Sequence, residues 1–332
     1  MLKNDLKIAL RTLRKHKGFS AINIFGLAAG MACCLMIMLF IQDELTYDTF
    51  HEEISRMYRL NINYVSTDGT FSNALSGAPV APHLLKDIPE IEQAVRVHKP
   101  LSDLMVSTGE RRFYETRFFY ADAAFFEMFS FPFVQGNPQQ ALQEPFTVVL
   151  TESMAQKYFG SADALGQTIR LENQHDFRVT GVMRDVPANA HIHYDFLASF
   201  SSLESTLCEQ LQSWMYNPFI TYVLLAENST RAQVEQKLPG FIDGYTAQML
   251  APYGLKLRPW LQPVADIHLH PPGNEIEPGS SMSVVYIFSA IAVLILLIAC
   301  FNFMNLSTAR ATTRAKEVGL RKVIGAVRGK LV

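Results

Sequence analysis

Charge is missing from two long stretches of this 332-residue chain: residues 18–42 and 278–309 contain no Asp, Glu, Lys or Arg. Their apolar hearts, residues 22–41 and 284–303, each run about the 20 residues that a helix rising about 1.5 Å per residue needs to cross hydrocarbon. Neither heart holds an Asp, Glu, His, Lys or Arg, so neither carries an obvious proton or ion relay. Acidic residues are almost absent from the ends: 29 of the 31 Asp and Glu lie in residues 42–283. Cysteine is scarce. Three of the four cysteines, Cys33, Cys34 and Cys300, fall in the apolar segments, and Cys208 alone lies between them, so no disulfide can form within the loop. A loop of 242 residues can bury a core without such staples. A phosphate-binding G-x-x-x-x-G-K-[ST] loop is also missing: Gly325 to Lys330 is one residue short in spacing, and Leu331 stands where the hydroxyl belongs. No Ser-His-Asp or Cys-His constellation stands out, and Cys208 has no activating neighbour in sequence. These absences argue against an enzyme.

What is present is a membrane protein with one large loop between two spans. Lys3, Lys7, Arg11, Arg14, Lys15 and Lys17 precede the first span, and Arg310, Arg314, Lys316, Arg321 and Lys322 follow the second. On the loop side only Arg56 and Arg59 lie within about 20 residues of a span, so the flanks place both termini in the cytoplasm and residues 42–283 outside the inner membrane. The overall net charge of −2 hides a loop at −13 and ends at +11. That division argues against nucleic acid as the loop's partner and for anionic lipid at the ends. A cleaved signal peptide is the alternative for the first span; its core exceeds the usual h-region of about 7–15 residues, and Gln42-Asp43-Glu44 stands where small residues would be cleaved.

Short strands and short helices alternate along the loop, which reads as α+β. Strands are expected at residues 58–65, 94–99, 147–150, 220–226 and 256–261, with two more flanking Gly109-Glu110. Helices are expected at 79–86, with Pro79 in the first turn, and at 231–249. Thr151 should cap a helix over 153–159 that Gly160 stops. Residues 167–171 and 177–182 alternate around Glu172-Asn173-Gln174 as a hairpin does. Strand, helix, strand at both ends of the loop suggests two mixed α/β subdomains, one inserted in the other at about residues 100–213, with breaks near Lys99 and Trp214. The expected organisation is thus a cytoplasmic amphipathic helix at 1–18, spans at 19–41 and 284–306, the domain at 42–283, and a cytoplasmic extension at 307–332.

Leu2, Leu6, Ala9, Leu10 and Leu13 oppose Lys3, Lys7, Arg11 and Arg14, the pattern of a helix lying in the membrane surface. Gly26 and Gly30, with Ala28 and Ala32, put small residues on one ridge where another helix can approach. Beyond the second span the helical pattern continues through 308–318, and Leu320, Val323, Val327 and Leu331 mark an apolar stripe beside Arg321, Lys322, Arg328 and Lys330. Such a basic amphipathic helix suits a groove on a soluble partner. The pattern is cut at Val332, so a longer parent chain is expected.

At these residues the sequence resembles permease subunits of MacB/FtsX-type ABC transporters, in the long form common in Bacteroidetes. The resemblance rests on Leu6-Lys7-Ile8-Ala9-Leu10-Arg11, Ile22-Asn23-Ile24-Phe25-Gly26-Leu27, Asp43-Glu44-Leu45-Thr46-Tyr47-Asp48, Phe50-His51 and Tyr58-Arg59. It continues in Asn189, His191-Ile192-His193-Tyr194-Asp195-Phe196 and Asp266-Ile267-His268-Leu269-His270. The tail Glu317-Val318-Gly319-Leu320-Arg321-Lys322-Val323-Ile324-Gly325-Ala326, with Arg328, is its most specific part. It implies a MacB-like periplasmic core domain, and a tail in which Arg321, Lys322, Gly325 and Arg328 meet an ABC ATPase subunit that binds ATP, this chain holding no cofactor. It also implies four spans per unit, a second permease unit as homodimer or internal repeat, and a periplasmic adaptor or cell-wall hydrolase as partner. ATP-driven motion would then be transmitted to the periplasmic domain. A two-span sensor or a regulatory scaffold is the alternative function, although no output domain follows Ala309.

Two His-x-His pairs, His191 with His193 and His268 with His270, could offer imidazoles to zinc; the resemblance implies structural turns there instead. Asn228-Ser229-Thr230 reads as a turn rather than a glycosylation site. The aromatic-rich residues 113–133 read as core, with Asp122 and Glu127 facing solvent on a short helix.

Overall fold

The apolar segments become helices because their backbone amides have no other partner in hydrocarbon. In the computed structural model, which describes residues 17–67, 69–160, 163–273 and 275–323, the first helix, α1, spans Lys17–Leu45. It carries Asp43 and Glu44 within its last turn rather than releasing the chain at Gln42. The expected surface helix at 1–18 lies almost wholly outside the described residues.

Residues Thr46–Ser281 form one unit by themselves. In chain order it begins with β1 (Met57–Ser66), β2 (Gly69–Asn73), β3 (Leu75–Ser76), α2 (Val80–Asp87) and β4 (Ile91–His98). Then come β5 (Leu104–Thr108), β6 (Arg111–Glu115), β7 (Phe118–Ala121), α3 (Phe125–Met128), β8 (Phe133–Gly136), β9 (Thr147–Thr151), α4 (Glu152–Phe159), β10 (Thr168–Leu171), β11 (His175–Met183), β12 (Phe196–Ser199) and α5 (Glu204–Leu207). The chain returns through β13 (Phe219–Leu225), α6 (Arg231–Leu250) and β14 (Lys256–Pro263). The domain is mixed α/β and is flanked in sequence by two long apolar helices, as the composition led one to expect.

One sheet runs β14-β1-β13-β4-β7-β12-β9-β11-β10-β5-β6. Its first four strands, all antiparallel neighbours, come from both ends of the domain sequence in a βαββαβ arrangement. The remaining strands come from residues 104–199, and the backbone ladder joins the two groups at Val97–Ala121 and His98–Tyr120. α2 and α6 cover one face of the first group, where Val80, Leu84, Val234 and Leu238 bury against Leu60, Val223 and Leu261. A second cluster crosses between the groups, uniting Met57, Val97 and Tyr222 with Phe119, Phe125, Phe129 and Leu197. Most of the 113–133 aromatics are core, but Phe113 and Tyr114 on β6 stay exposed. Glu127 is exposed as expected. Asp122 is not simply solvent-facing: it is partly buried, and its carboxylate takes bonds of 2.7 and 2.8 Å from the Arg96 guanidinium.

Local signals are realised in detail. The Thr151 hydroxyl accepts from Met154 N at 3.4 Å, and Gly160, at φ +67°, ends α4. Glu172 and Asn173 both adopt positive φ in the β10–β11 turn, which suits the right-handed twist of the paired strands. Thr230 and Gln233 close a capping box at the start of α6.

The last helix, α7, runs unbroken over Met282–Val323. Within α1 and α7, Ile24–Leu45 and Met282–Asn305 are long and apolar enough to cross a membrane. The two helices form a unit of their own and pack side by side. A Cβ added at Gly26 would stand 2.9 Å from Asn302 Nδ2, and one at Gly30 would stand 3.0 Å from Ala299 Cβ, so the absence of side chains there permits the close approach. Phe40 and Phe288 rings meet at 4.9 Å on the same seam. Leu35, Leu39, Ile298 and Phe301 remain exposed, the surface a lipid-facing helix presents.

Candidate functional site

Three polar clusters fix the domain's two connections to its sheet. The first connection, residues 46–52, follows α1 directly. Asp48 adopts φ +59°, a left-handed conformation that Asp tolerates better than most residues, and is 1% exposed. Its amide donates to Asn189 O at 2.9 Å, and its Oδ1 accepts from His191 N at 3.1 Å. Asn189 Nδ2 donates back to Thr46 O at 3.1 Å. The His191 ring lies between Asp48 Oδ1, 2.8 Å from Nδ1, and the Tyr222 hydroxyl, 2.8 Å from Nε2. Tyr222 belongs to β13, so residue 48 is tied through a loop to a central strand. Burial raises the Tyr222 pKa and keeps the phenol protonated. His51 accepts from Ser130 N at 3.1 Å and is wedged edge-on against Phe129 and Phe131. Burial lowers its pKa to about 4 against the opposing pull of Asp48, so this ring is neutral at physiological pH.

The second connection, residues 275–281, leads directly into α7. Arg59 on β1 is 1% exposed and grips Glu275 with two charge-assisted bonds, Nη1 to Oε2 at 2.5 Å and Nη2 to Oε1 at 2.7 Å. Gln262 Oε1 accepts from Arg59 Nη2 at 2.9 Å and from Asn61 Nδ2 at 2.6 Å, while Asn61 Oδ1 accepts from Arg59 Nε at 3.1 Å. Gln262 Nε2 then donates to His270 O at 2.8 Å. Every polar group in this buried set has a partner, which is the condition for its being stable.

Two residues on, Glu277 forms the third cluster. It accepts from His193 N at 2.8 Å and holds His193 Nδ1 at 2.7 Å; His193 Nε2 faces Pro187 O at 3.1 Å. An imidazole with acceptors at both nitrogens satisfies them only as the doubly protonated cation. The Glu277 bond accordingly raises the His193 pKa, with burial opposing. For Glu277, burial pushes upward, but the His193 bonds outweigh it and its pKa is lowered. Tyr47 stacks on His268 at 3.4 Å, and Ser280 N donates to His268 O at 2.7 Å, so both connections also meet the 266–270 stretch.

The His-x-His residues are therefore occupied with protein partners: His191 with Asp48 and Tyr222, His193 with Glu277, His268 with Tyr47. No group of three or more His, Cys, Asp or Glu suited to a metal ion occurs among the described residues. Of the residues expected to meet an ATPase, Arg321 and Lys322 lie on α7, while Gly325 and Arg328 lie outside the described residues. In the sequence Arg59 stands out as a loop-side positive charge and as part of the Tyr58-Arg59 resemblance, with no partner assigned to it. Alternation in Tyr58-Arg59-Leu60-Asn61-Ile62 puts Arg59 and Asn61 together on the polar face, so the local pattern gave no sign that this face is buried as well.

A mixed α/β domain held at both connections lies in sequence between two span-length helices. The family model for the MacB-like periplasmic core domain matches residues 20–240, and the chain belongs to that family. It is 26% identical over 187 residues to the macrolide export ATP-binding/permease protein MacB of Neisseria meningitidis, in strains of serogroups A and B alike. That match takes in 56% of this chain but spans only 26% of the length of those relatives. Among solved structures, a domain of a permease protein from Porphyromonas gingivalis superposes with a TM-score of 0.57 at 22% identity, covering 64% of this chain and 91% of that one. This last likeness concerns the fold alone.

Proposed function

We propose that this chain is part of the permease subunit of a MacB-type ABC transporter and that it carries motion from the membrane to a periplasmic domain. Both ends lie in the cytoplasm of a bacterial cell, and residues 42–283 lie outside the inner membrane. Family membership, the two span-length helices and the division of charge, −13 in the loop against +11 at the ends, support this placement. ATP is bound and hydrolysed by a partner ATPase, which Arg321, Lys322, Gly325 and Arg328 contact. A second permease unit completes the transporter, and a periplasmic adaptor or cell-wall hydrolase receives the movement.

The observation that carries this reading is the pinning of both connections. A loose linker would absorb any displacement of its helix. Here residue 48 is bound to the 189–191 loop and through His191 to β13, and residues 275 and 277 are bound to β1 and to residue 193. Displacement of α1 or α7 therefore reaches the sheet through short, buried, charge-assisted bonds. The test of the ATPase contact is photocrosslinking from residue 321 or 328 in cells expressing the whole transporter. Capture of an ATPase subunit is expected; capture of lipid alone would contradict the assignment.

A further inference from the structure

A cleft of about 240 Å³ opens where the chain passes between the two groups of strands, beside the strap of residues 275–277. Leu75 and Val97 form part of its floor, Lys99, Leu101 and Pro218 its rim, and Ile276 of the strap one wall. The lining is mostly apolar. Leu101 is fully exposed at the lip. The two charged groups at the cleft are not equivalent. Glu275 commits both carboxylate oxygens to Arg59. Lys99 has no carboxylate within ion-pair distance among the described residues, and its ammonium lies 5.7 Å from the Phe119 ring centroid. In a loop of net charge −13, a cation without a counter-charge at the mouth of an apolar cleft is a selective feature.

We propose that this cleft binds a small amphipathic anion, a short hydrocarbon group carrying one carboxylate, with the hydrocarbon against Leu75, Val97 and Ile276 and the anionic end at Lys99. The volume falls below the roughly 300–1,000 Å³ of drug-sized sites, so the occupant is small. The lining is apolar enough to take up a hydrocarbon group but holds a single free positive charge, so one anionic end completes it. Because Ile276 lies between the two anchoring carboxylates, an occupant touches the strap that leads into α7. The proposal does not depend on the transporter reading.

The experiment uses the whole chain in lipid nanodiscs, with hydrogen exchange measured at Leu101, Ile220 and Ile276 during titration with hexanoate and, in parallel, with hexanamide. Hexanoate should slow exchange at these amides by a factor that grows as 1 + [L]/Kd, with hexanamide much weaker. Lys99→Gln should reduce the hexanoate effect to the hexanamide level, while Lys99→Arg should retain it. Lys99 is partly exposed and outside the core, so both variants should fold, and unchanged exchange at β9 checks this. Equal protection by acid and amide would overturn the anion assignment. No protection by either, or protection unaffected by Lys99→Gln, would overturn the site. Uniform slowing across the chain would mean partition into lipid and would also overturn it.

Discussion

Replacing Glu275 by Gln leaves the shape of the second connection almost unchanged but removes the one carboxylate that, among the described residues, binds a guanidinium that is 1% exposed. Breaking a buried ion pair from one side costs about 3–5 kcal/mol, because the remaining charge stays buried and uncompensated. Here the lower end applies: the Glu275 side chain is 12% exposed, so water can reach the vacated position, and Gln262 and Asn61 still accept from Arg59. The expected loss is therefore about 3 kcal/mol. The reverse change, Arg59→Met, should cost less, about 1–3 kcal/mol, because Glu275 can turn toward solvent while Asn61 and Gln262 lose a donor. The two changes should not add; the double variant should be closer to Arg59→Met than to the sum. Pulse proteolysis of the chain in nanodiscs across a urea series gives the three stabilities. A cost below about 1 kcal/mol for Glu275→Gln would mean that the pair behaves as an exposed salt bridge, and the clamp argument would fail.

The His193–Glu277 pair should respond to pH in a defined sense. The raised folded pKa of His193 makes its contribution full below the ordinary 6.5 and lost as pH rises through the folded value; the lowered pKa of Glu277 makes its contribution full above the ordinary 4.5 and lost as pH falls through the folded value. Protection factors at the amides of residues 275–280, exchange rates taken relative to the intrinsic rate at each pH, should thus be highest between those limits and fall above pH 6.5, and His193→Gln should flatten the alkaline side. Asp48→Ala should cost about 1–3 kcal/mol by stripping the His191 amide of its acceptor, whereas Asp48→Asn should recover most of it, both read by the same proteolysis. Gly30→Leu should push α1 from α7: a disulfide between native Cys34, whose thiol lies 3.4 Å from Ala292 O, and a cysteine replacing Ala292 should form readily in the parent chain and slowly with Gly30→Leu.

Features written in consecutive residues were legible in the sequence. The spans, the Thr151 cap with its Gly160 stop, the 172–174 turn and the α+β alternation all follow from local rules of charge, capping and period, and each occurs near its expected position. The capping box at Thr230 was equally local but was passed over, because Asn228-Ser229-Thr230 was read only as a turn. The clamps were not legible. Glu275 is 216 residues from Arg59, and Asp48 is 143 from His191, so no window along the chain holds both partners. The histidine pairs were read as structural turns rather than metal ligands, but the partners of three of their rings, Asp48 and Tyr222 for His191, Glu277 for His193 and Tyr47 for His268, come from far along the sequence. Asp122 was misread for the same reason: its partner Arg96 sits 26 residues away, on the strand that the β4–β7 rung brings alongside.

The central claim is that nucleotide-driven motion reaches the periplasmic domain through its two pinned connections. The most direct measurement is hydrogen exchange at residues 46–52 and 275–281 in the assembled transporter, with its ATPase, in nanodiscs, compared with and without ATP. Exchange at both segments should change with nucleotide in the parent protein, and the change should fail to propagate to β1 and β13 in Glu275→Gln and His191→Ala. Exchange at both segments that is the same with and without ATP would contradict the claim.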